Sequence, residues 1–288
     1  MNLIEAIERQ SARLTQAGVS FGHGTTNAFD EAVWLVLWRL GLPLDDLDGV
    51  AARELTAAET GAIEALVGER IASRKPAAYL TREAWLQGVA FTIDERAIVP
   101  RSLIAEVIAD GSLDAWLVAD ARRVLDLCTG NGSLAVLAAL AWPEVSVDAA
   151  DLDADALAVA RLNVDRHGLA DRIALYAGDG LAAVAGQRYD LIVCNPPYVN
   201  AASMAALPAE YRAEPALALA GGSDGMDFIR GLLRAAAAAM TEHAVLVLEI
   251  GHERAHFEAA FPALETLWLT TSAGDDQVLL LTREALAP

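Results

Sequence analysis

The sequence predicts a doubly wound α/β protein: a seven-stranded, mostly parallel sheet with helices on both faces, preceded by a small helical region carrying a β-hairpin. Three observations predict it. From about residue 97 onward, short apolar runs alternate with helix-patterned segments. A glycine-rich turn, Gly130-Asn131-Gly132, closely follows the first of these runs. The last two runs stand too close together for a crossover helix, so they pair antiparallel.

The elements follow in order. Leu3, Ile4, Ile7 and Leu14 keep helical spacing. Asn27 reads as the N-cap of a helix running to Leu40, ended by Gly41 and Pro43. That helix is apolar on most faces from Val33 to Trp38, which predicts a helix sandwiched between other elements. Thr56 and Glu59 have capping-box spacing for a third helix, which closes before Pro76. Gln87-Gly88, between apolar runs over 83–86 and 89–93, reads as a hairpin turn. Strands are predicted over 124–128, 145–151, 173–177, 190–194, 244–250, 264–271 and 277–282. The change of pattern predicts two domains, residues 1–96 and 97–288.

Composition narrows the function. No apolar run approaches the ~18 residues that span a bilayer, and the start shows no signal-peptide pattern. A cytoplasmic protein with no membrane association is expected. Cys128 and Cys194 each end a predicted strand, form no disulfide framework or zinc set, and read as reduced core thiols. The net charge is −19, from 40 acidic and 21 basic residues. Such a chain repels a polyanion on average, which argues against direct nucleic-acid specificity. The charge attracts a basic macromolecule, or serves only to keep an alanine-rich chain in solution.

Asp126-Leu127-Cys128-Thr129-Gly130-Asn131-Gly132 joins the first sheet strand to a helix. Glycine there permits positive φ and close approach of the backbone to a ligand, and the helix start offers N–H groups to a carboxylate. Asp151, ending the second strand beside Leu152, is placed to accept both hydroxyls of a ribose. Asp179, next to Gly180 after the third strand, is placed to bind an adenine amino group. Asp126, Cys128, Thr129, Gly130, Asn131, Gly132, Asp151, Leu152, Asp179 and Gly180 are therefore the candidates for a nucleoside-cofactor site, the alternative being an ordinary tight turn with Asp179 in a solvated Asx turn. Gly130-x-Gly132-x-x-Ala135 also satisfies the dinucleotide fingerprint, so the turn alone does not separate a nicotinamide cofactor from S-adenosylmethionine.

Asn195-Pro196-Pro197-Tyr198, directly after the fourth strand, separates them. Two prolines stiffen the chain around an Asn, and an aromatic ring stands beside it. The Asn195 side-chain oxygen and the Pro196 carbonyl can each accept one hydrogen of a planar –NH₂ group. These bonds strengthen as positive charge grows on that nitrogen during methyl transfer. Asn195, Pro196 and Tyr198 are thus the catalytic candidates. Asn195, Pro196, Pro197, Tyr198 and Arg101 are the substrate-binding candidates, and Asn195 borders the cofactor as well. An amide nitrogen or an adenine N6 would suit the motif; the acidic charge argues against the nucleic acid. A nicotinamide oxidoreductase would need a hydride-handling pocket that the sequence does not display. A non-enzymatic cofactor-binding scaffold would tolerate loss of Asn195.

Seven segments together resemble the bacterial protein glutamine N5-methyltransferases, over residues of about 20 to 285. They are Phe21-Gly22-His23-Gly24-Thr25, Ala78-Tyr79-Leu80-Thr81, Val99-Pro100-Arg101-Ser102, Asp126 to Gly130, Asn195 to Val199, Leu207-Pro208-x-Glu210-Tyr211 and Gly221-Gly222-Ser223-Asp224-Gly225. The resemblance implies a class I S-adenosylmethionine-dependent methyltransferase fold, with Cys128 to Gly132, Asp151 and Asp179 holding S-adenosylmethionine and Asn195 to Tyr198 holding a glutamine. It is stronger for the branch acting on large-subunit ribosomal protein three than for the release-factor branch. The latter usually has glycine at the position of Cys128 and an acid-containing run after Pro-Arg, where this chain has Ser102-Leu103-Ile104. A basic ribosomal protein as substrate fits the charge. Asn131 and Leu103 depart from the family's usual serine and proline.

Other signals carry less. His252-Glu253-x-x-His256 spells a zinc-binding helix motif, but it follows a strand and lacks a third ligand, so no metal is expected. Arg101 either touches a ligand or clamps the domain linker. His23, between two glycines, is read as a loop residue, Glu249 as structural, and Trp34 and Trp38 as packing.

Overall fold

The computed structural model describes residues 1–117 and 121–287. Three long helices, Leu3–Gln16, Ala28–Leu40 and Ala57–Ser73, begin the chain, with a single turn, Leu47–Val50, before the third. Asn27 caps the second by accepting from Asp30 N at 2.9 Å, and Gly41 ends it in the left-handed conformation. Thr56 and Glu59 form the capping box of the third. Asn2 and Glu5 form a further capping box on the first, a signal the spacing of apolar residues did not reveal. Leu3, Ile7, Leu14, Leu35, Val36, Ile63 and Val67 close into one core. Trp34 packs partly against a second cluster containing Tyr79, Ile93, Val99 and Val159, which joins the helices to the sheet region. Ala28–Leu40 is thus sandwiched.

Pro76 starts a short helix, Ala77–Thr81. The hairpin follows: β1 (Glu83–Leu86) pairs antiparallel with β2 (Val89–Thr92). Gln87 and Gly88 both take positive φ, 49° and 74°, as a two-residue turn matched to strand twist requires.

The sheet contains β3 (Arg123–Leu127), β4 (Ser146–Asp151), β5 (Ile173–Ala177), β6 (Tyr189–Cys194), β7 (Met240–Glu249), β8 (Leu267–Thr271) and β9 (Gly274–Thr282). Their order is β5-β4-β3-β6-β7-β9-β8, parallel except that β9 runs antiparallel to both neighbours. Three strands begin three or more residues away from the sequence reading, β9 among them at Gly274 rather than 277. β7 begins at Met240 rather than 244, because an irregularity between Tyr189 and Leu191 lets Tyr189 pair with Met240. β8 begins at Leu267 rather than 264, because Leu264 packs on the core from a turn closed onto the Phe261 carbonyl. Alternate residues face opposite ways. Val124, Val147 and Leu191 pack beneath helices Ile104–Ala109 and Ser133–Ala141. Leu125, Ile192 and Leu246 pack beneath Asp227–Ala236 and Arg254–Ala260. The strand order reverses between β3 and β6, and such a switch point opens a crevice at the carboxyl ends of the strands.

Candidate active site

Two cavities meet at that crevice. One is lined by Cys128, Gly130, Asp151, Leu152, Asp179 and Gly180. The other is lined by Arg101, Pro196, Tyr198, Tyr211 and Glu249. Asn195 borders both. Its position follows from the sheet: Cys194 is held between Leu127 of β3 and Leu248 of β7, and the chain leaves the sheet at the next residue.

The turn after β3 is braced by its own neighbours. Thr129 N donates to the Ala150 carbonyl at 3.1 Å, and Gly130 N donates to Asp151 Oδ2 at 2.8 Å. Asp151 Oδ1 accepts from Asp153 N at 2.9 Å. Burial raises the pKa of Asp151, against the pull of these N–H groups. Cys128 adopts φ 61°, a region that disfavours side chains, so it sits just past the strand end rather than within the strand.

Part of the sequence-derived cofactor set lies away from the cavity surface. Asp126, Thr129, Asn131 and Gly132 stand behind the turn, outside the cavity lining. Asp126 is fully buried; its Oδ2 accepts from Thr129 Oγ1 at 2.5 Å and Ala135 N at 2.9 Å. Burial pushes its pKa up to about 7, although those two bonds act downward. Asn131 is 3% exposed, and its carbonyl accepts from Asn163 Nδ2 at 2.8 Å. Gly132 is a packing position, since an added Cβ would lie 3.1 Å from Ala160 Cβ.

Arg101 lines the second cavity, but its guanidinium is already engaged: Nη1 and Nη2 donate to the two Glu214 oxygens at 2.7 and 2.8 Å. It also lies 5.4 Å from the Tyr211 ring centre. Of the two roles open in the sequence, the clamp is the one its contacts describe. Burial acts upward on the Glu214 pKa, yet Arg101 and His23 outweigh it and hold the carboxyl at about 2.

The Methyltransferase small domain family model matches residues 112–211. The chain is 54% identical to the ribosomal protein uL3 glutamine methyltransferase of Bordetella pertussis, covering 99% of this chain and 96% of that protein. The Burkholderia pseudomallei protein of the same name is also 54% identical, covering 96% and 93%. The Neisseria gonorrhoeae protein is 48% identical, covering 96% and 92%. The chain belongs to the ribosomal protein uL3 glutamine methyltransferase family. Among solved structures, the hMettl16 catalytic domain in complex with the MAT2A 3′UTR hairpin 1 superposes at a TM-score of 0.52 and 15% identity, covering 82% of this chain and 84% of that one. At that identity the likeness speaks for the methyltransferase fold alone.

Several residues around the second cavity of this family member were not legible as a unit. The Tyr198 hydroxyl donates to Glu249 Oε1 at 3.2 Å, while Glu249 Oε2 accepts from Ser102 Oγ at 2.6 Å and Leu103 N at 2.9 Å. Glu249 is 4% exposed, and burial raises its pKa. A Cβ on Gly225 would lie 2.2 Å from the Tyr198 carbonyl oxygen, and one on Gly251 would lie 2.5 Å from the Tyr198 ring. Glycine is therefore required to let the chain close around Tyr198. Glu210 looks the other way, toward the helices. Glu210 pairs with Arg70 at 3.3 Å and Arg74 at 2.9 Å, and Arg70 pairs with Glu31 at 2.8 Å. His23 is buried against Tyr211, with Nε2 3.3 Å from Glu214 Oε2.

The zinc-like motif does not form its helix. Arg254 begins the helix, leaving His252 outside, and Glu253 is taken by Asn200 Nδ2 at 2.7 Å and by His256 Nδ1 at 2.5 Å. Among the described residues, no helix is long and apolar enough to cross a membrane.

Proposed function

We propose that this protein transfers a methyl group from S-adenosylmethionine to the side-chain amide nitrogen of a glutamine in ribosomal protein uL3. The observation that carries the reading is that Asn195 stands where the two cavities join. Two supports come from elsewhere: the relatives bear this activity in their names, and the net charge of −19 suits a basic substrate.

The first cavity fits the cofactor. Asp151 closes β4 with a carboxylate at the lining, and Asp179 supplies a second, exposed one. Leu152 is 56% exposed, a large apolar side chain left at the lip of the cavity. Acids for a ribose and an adenine amino group, with an apolar surface for the base, are what an adenosyl group needs. S-adenosylmethionine supplies a methyl group made electrophilic by its sulfonium.

In the second cavity, Asn195 Oδ1 and the Pro196 carbonyl accept the two hydrogens of the glutamine amide and hold its plane. Tyr198, anchored on Glu249, walls that plane from one side. Pro196 and Pro197 remove backbone freedom, so the acceptors stay in place without reorganisation. Fixing the amide removes much of the entropic barrier to attack. The methylated nitrogen sheds its extra proton readily, so no strong base is assigned. Arg101 acts here as a positioning residue through Glu214. Residues 1–96 form the part that selects the substrate.

Replacing Asn195 by Ala is the direct test. Turnover on purified, unmethylated uL3 should fall ~10²–10³-fold or more, with S-adenosylmethionine affinity retained. Undiminished turnover would remove Asn195 from the chemistry. Labelling of a release factor or of DNA instead of uL3 would move the substrate.

A further inference from the structure

We propose that the N-terminal region carries a separate docking groove for a lysine- or arginine-bearing segment of the protein substrate, remote in sequence from the methylated glutamine. The groove lies between the helix Ala28–Leu40 and the hairpin. Its apolar walls are Val33, Trp34, Leu44 and Trp85, and its acids are Asp30 and Asp45. Among the described residues that line it, none is basic.

Trp85 is the decisive residue. Strand alternation turns Ala84 into the core and Trp85 outward, where it stays 46% exposed. Trp85 is continuous with Val33, Trp34 and Leu44, and a connected apolar surface of this kind, unlike a single exposed ring, marks a contact site. An indole face flanked by exposed carboxylates attracts one chemistry above others: a cationic side chain with an aliphatic stem, which stacks its stem on the ring and meets the acids with its head. The charge of the whole chain points the same way.

The groove also has a route to the site. Gly24 and Thr25 line it, while Ser20, Phe21 and Thr26 of the same loop line a third cavity. That cavity shares Tyr198, Val199, Leu207 and Tyr211 with the one bordered by Asn195. The loop is pinned: Arg70 Nη2 donates to the Ser20 carbonyl at 3.0 Å, and Gly22 N donates to the Thr25 carbonyl at 2.8 Å. A bound polypeptide with its glutamine at Asn195 can therefore follow one surface across residues 20–26 to Trp85.

The inference rests on the protein being a methyltransferase of a basic protein, so its test separates the two readings. Binding of unmethylated uL3 is titrated directly, without cofactor, for the wild type and for Trp85→Ala, Trp85→Phe and Asp45→Lys, and kcat and KM are measured in parallel. Trp85→Ala and Asp45→Lys should each weaken binding and raise KM about tenfold, with kcat within about twofold and S-adenosylmethionine affinity unchanged. Trp85→Phe should restore most of the loss. A short glutamine peptide without basic residues should be methylated equally by all four proteins. Unchanged uL3 binding by both Trp85→Ala and Asp45→Lys overturns the groove, even if methylation proceeds. So does a Trp85→Ala variant whose only change is loss of self-association in sedimentation. If the wild type binds uL3 through Trp85 but never methylates it, the groove stands and the proposed reaction falls.

Discussion

The two cavities that share Asn195 are built by different means. The turn after β3 is held by groups close along the chain or on adjacent strands: Thr129 on Asp126, Gly130 on Asp151, Asp153 on Asp151. The Tyr198 side is held by side chains far apart in sequence. Arg101 meets Glu214 across 113 residues, Arg70 meets Glu210 across 140, and Ser102 meets Glu249 across 147. The first cavity is complete once the sheet forms. The second is complete only when the N-terminal helices, the segment after β6 and the end of β7 have docked together. Cofactor binding and substrate positioning should therefore separate by mutation.

The sharpest break comes at Arg70. It is fully buried between Glu31 and Glu210, which are themselves buried. Arg70→Ala would strand the buried Glu31 and leave Glu210 with Arg74 alone, so a loss of about 3–5 kcal/mol is expected in denaturant titration. A loss below about 1 kcal/mol would mean that the helices and the segment after β6 are not held by this pair. The comparison would then fail.

Glu214 tests the same side by pH. Its pKa is about 2 in the folded protein against an ordinary 4.5, so the ionised form favours folding. The sign follows: its contribution is present above pH 4.5 and is lost as pH falls from there toward about 2. Glu214→Gln should cost on the order of 3 kcal/mol at neutral pH, with the gap to wild type closing through that acid window. KM for the protein substrate should rise, while cofactor affinity should stay unchanged. A gap that is constant down to pH 2 would show that Glu214 contributes through packing rather than charge.

This contrast also explains what the sequence made legible. The glycine turn and the acids at the ends of β4 and β5 announce themselves, because each sits at a fixed offset from a strand end. The inward turn of Asp126 does not: β3 is buried on both faces, so no alternation marks which way residue 126 points. Glu214 carries no local signature, since an acid in a loop reads the same whether it faces solvent or a guanidinium; Glu249 stands out at the end of an apolar run, but nothing in that run names Ser102 and Tyr198 as its partners. Gly225 and Gly251 matter through Tyr198, a partner visible only in three dimensions. The His252-Glu253-x-x-His256 spacing misleads for the converse reason. A helical motif has meaning only if its first residue is already helical, and here it is not.

Asp151→Ala probes the first cavity. Two backbone N–H groups converge on this carboxylate, which also faces the cavity. Cofactor affinity should fall by about 1.5–3 kcal/mol, the usual worth of hydrogen bonds to a charged group, as read by calorimetric titration. The binding of uL3 without cofactor should not change. Linked loss of both would erase the separation between the cavities.

The smallest effect lies at Cys128. Its φ of 61° is a conformation that costs an L-residue roughly 1–2 kcal/mol relative to the right-handed region. Glycine would relieve that strain, but it gains unfolded-state entropy and gives up the packing of the thiol, which lies against the core cluster beneath helix Asp227–Ala236. The opposing terms leave Cys128→Gly within about 1 kcal/mol of wild type in stability. The side chain also lines the cofactor cavity, so removing it should alter S-adenosylmethionine affinity by less than the Asp151 change does. A large loss of stability would show that the turn relies on the thiol's contacts rather than on its backbone hydrogen bonds, against the account of a cavity braced from within its own stretch of chain.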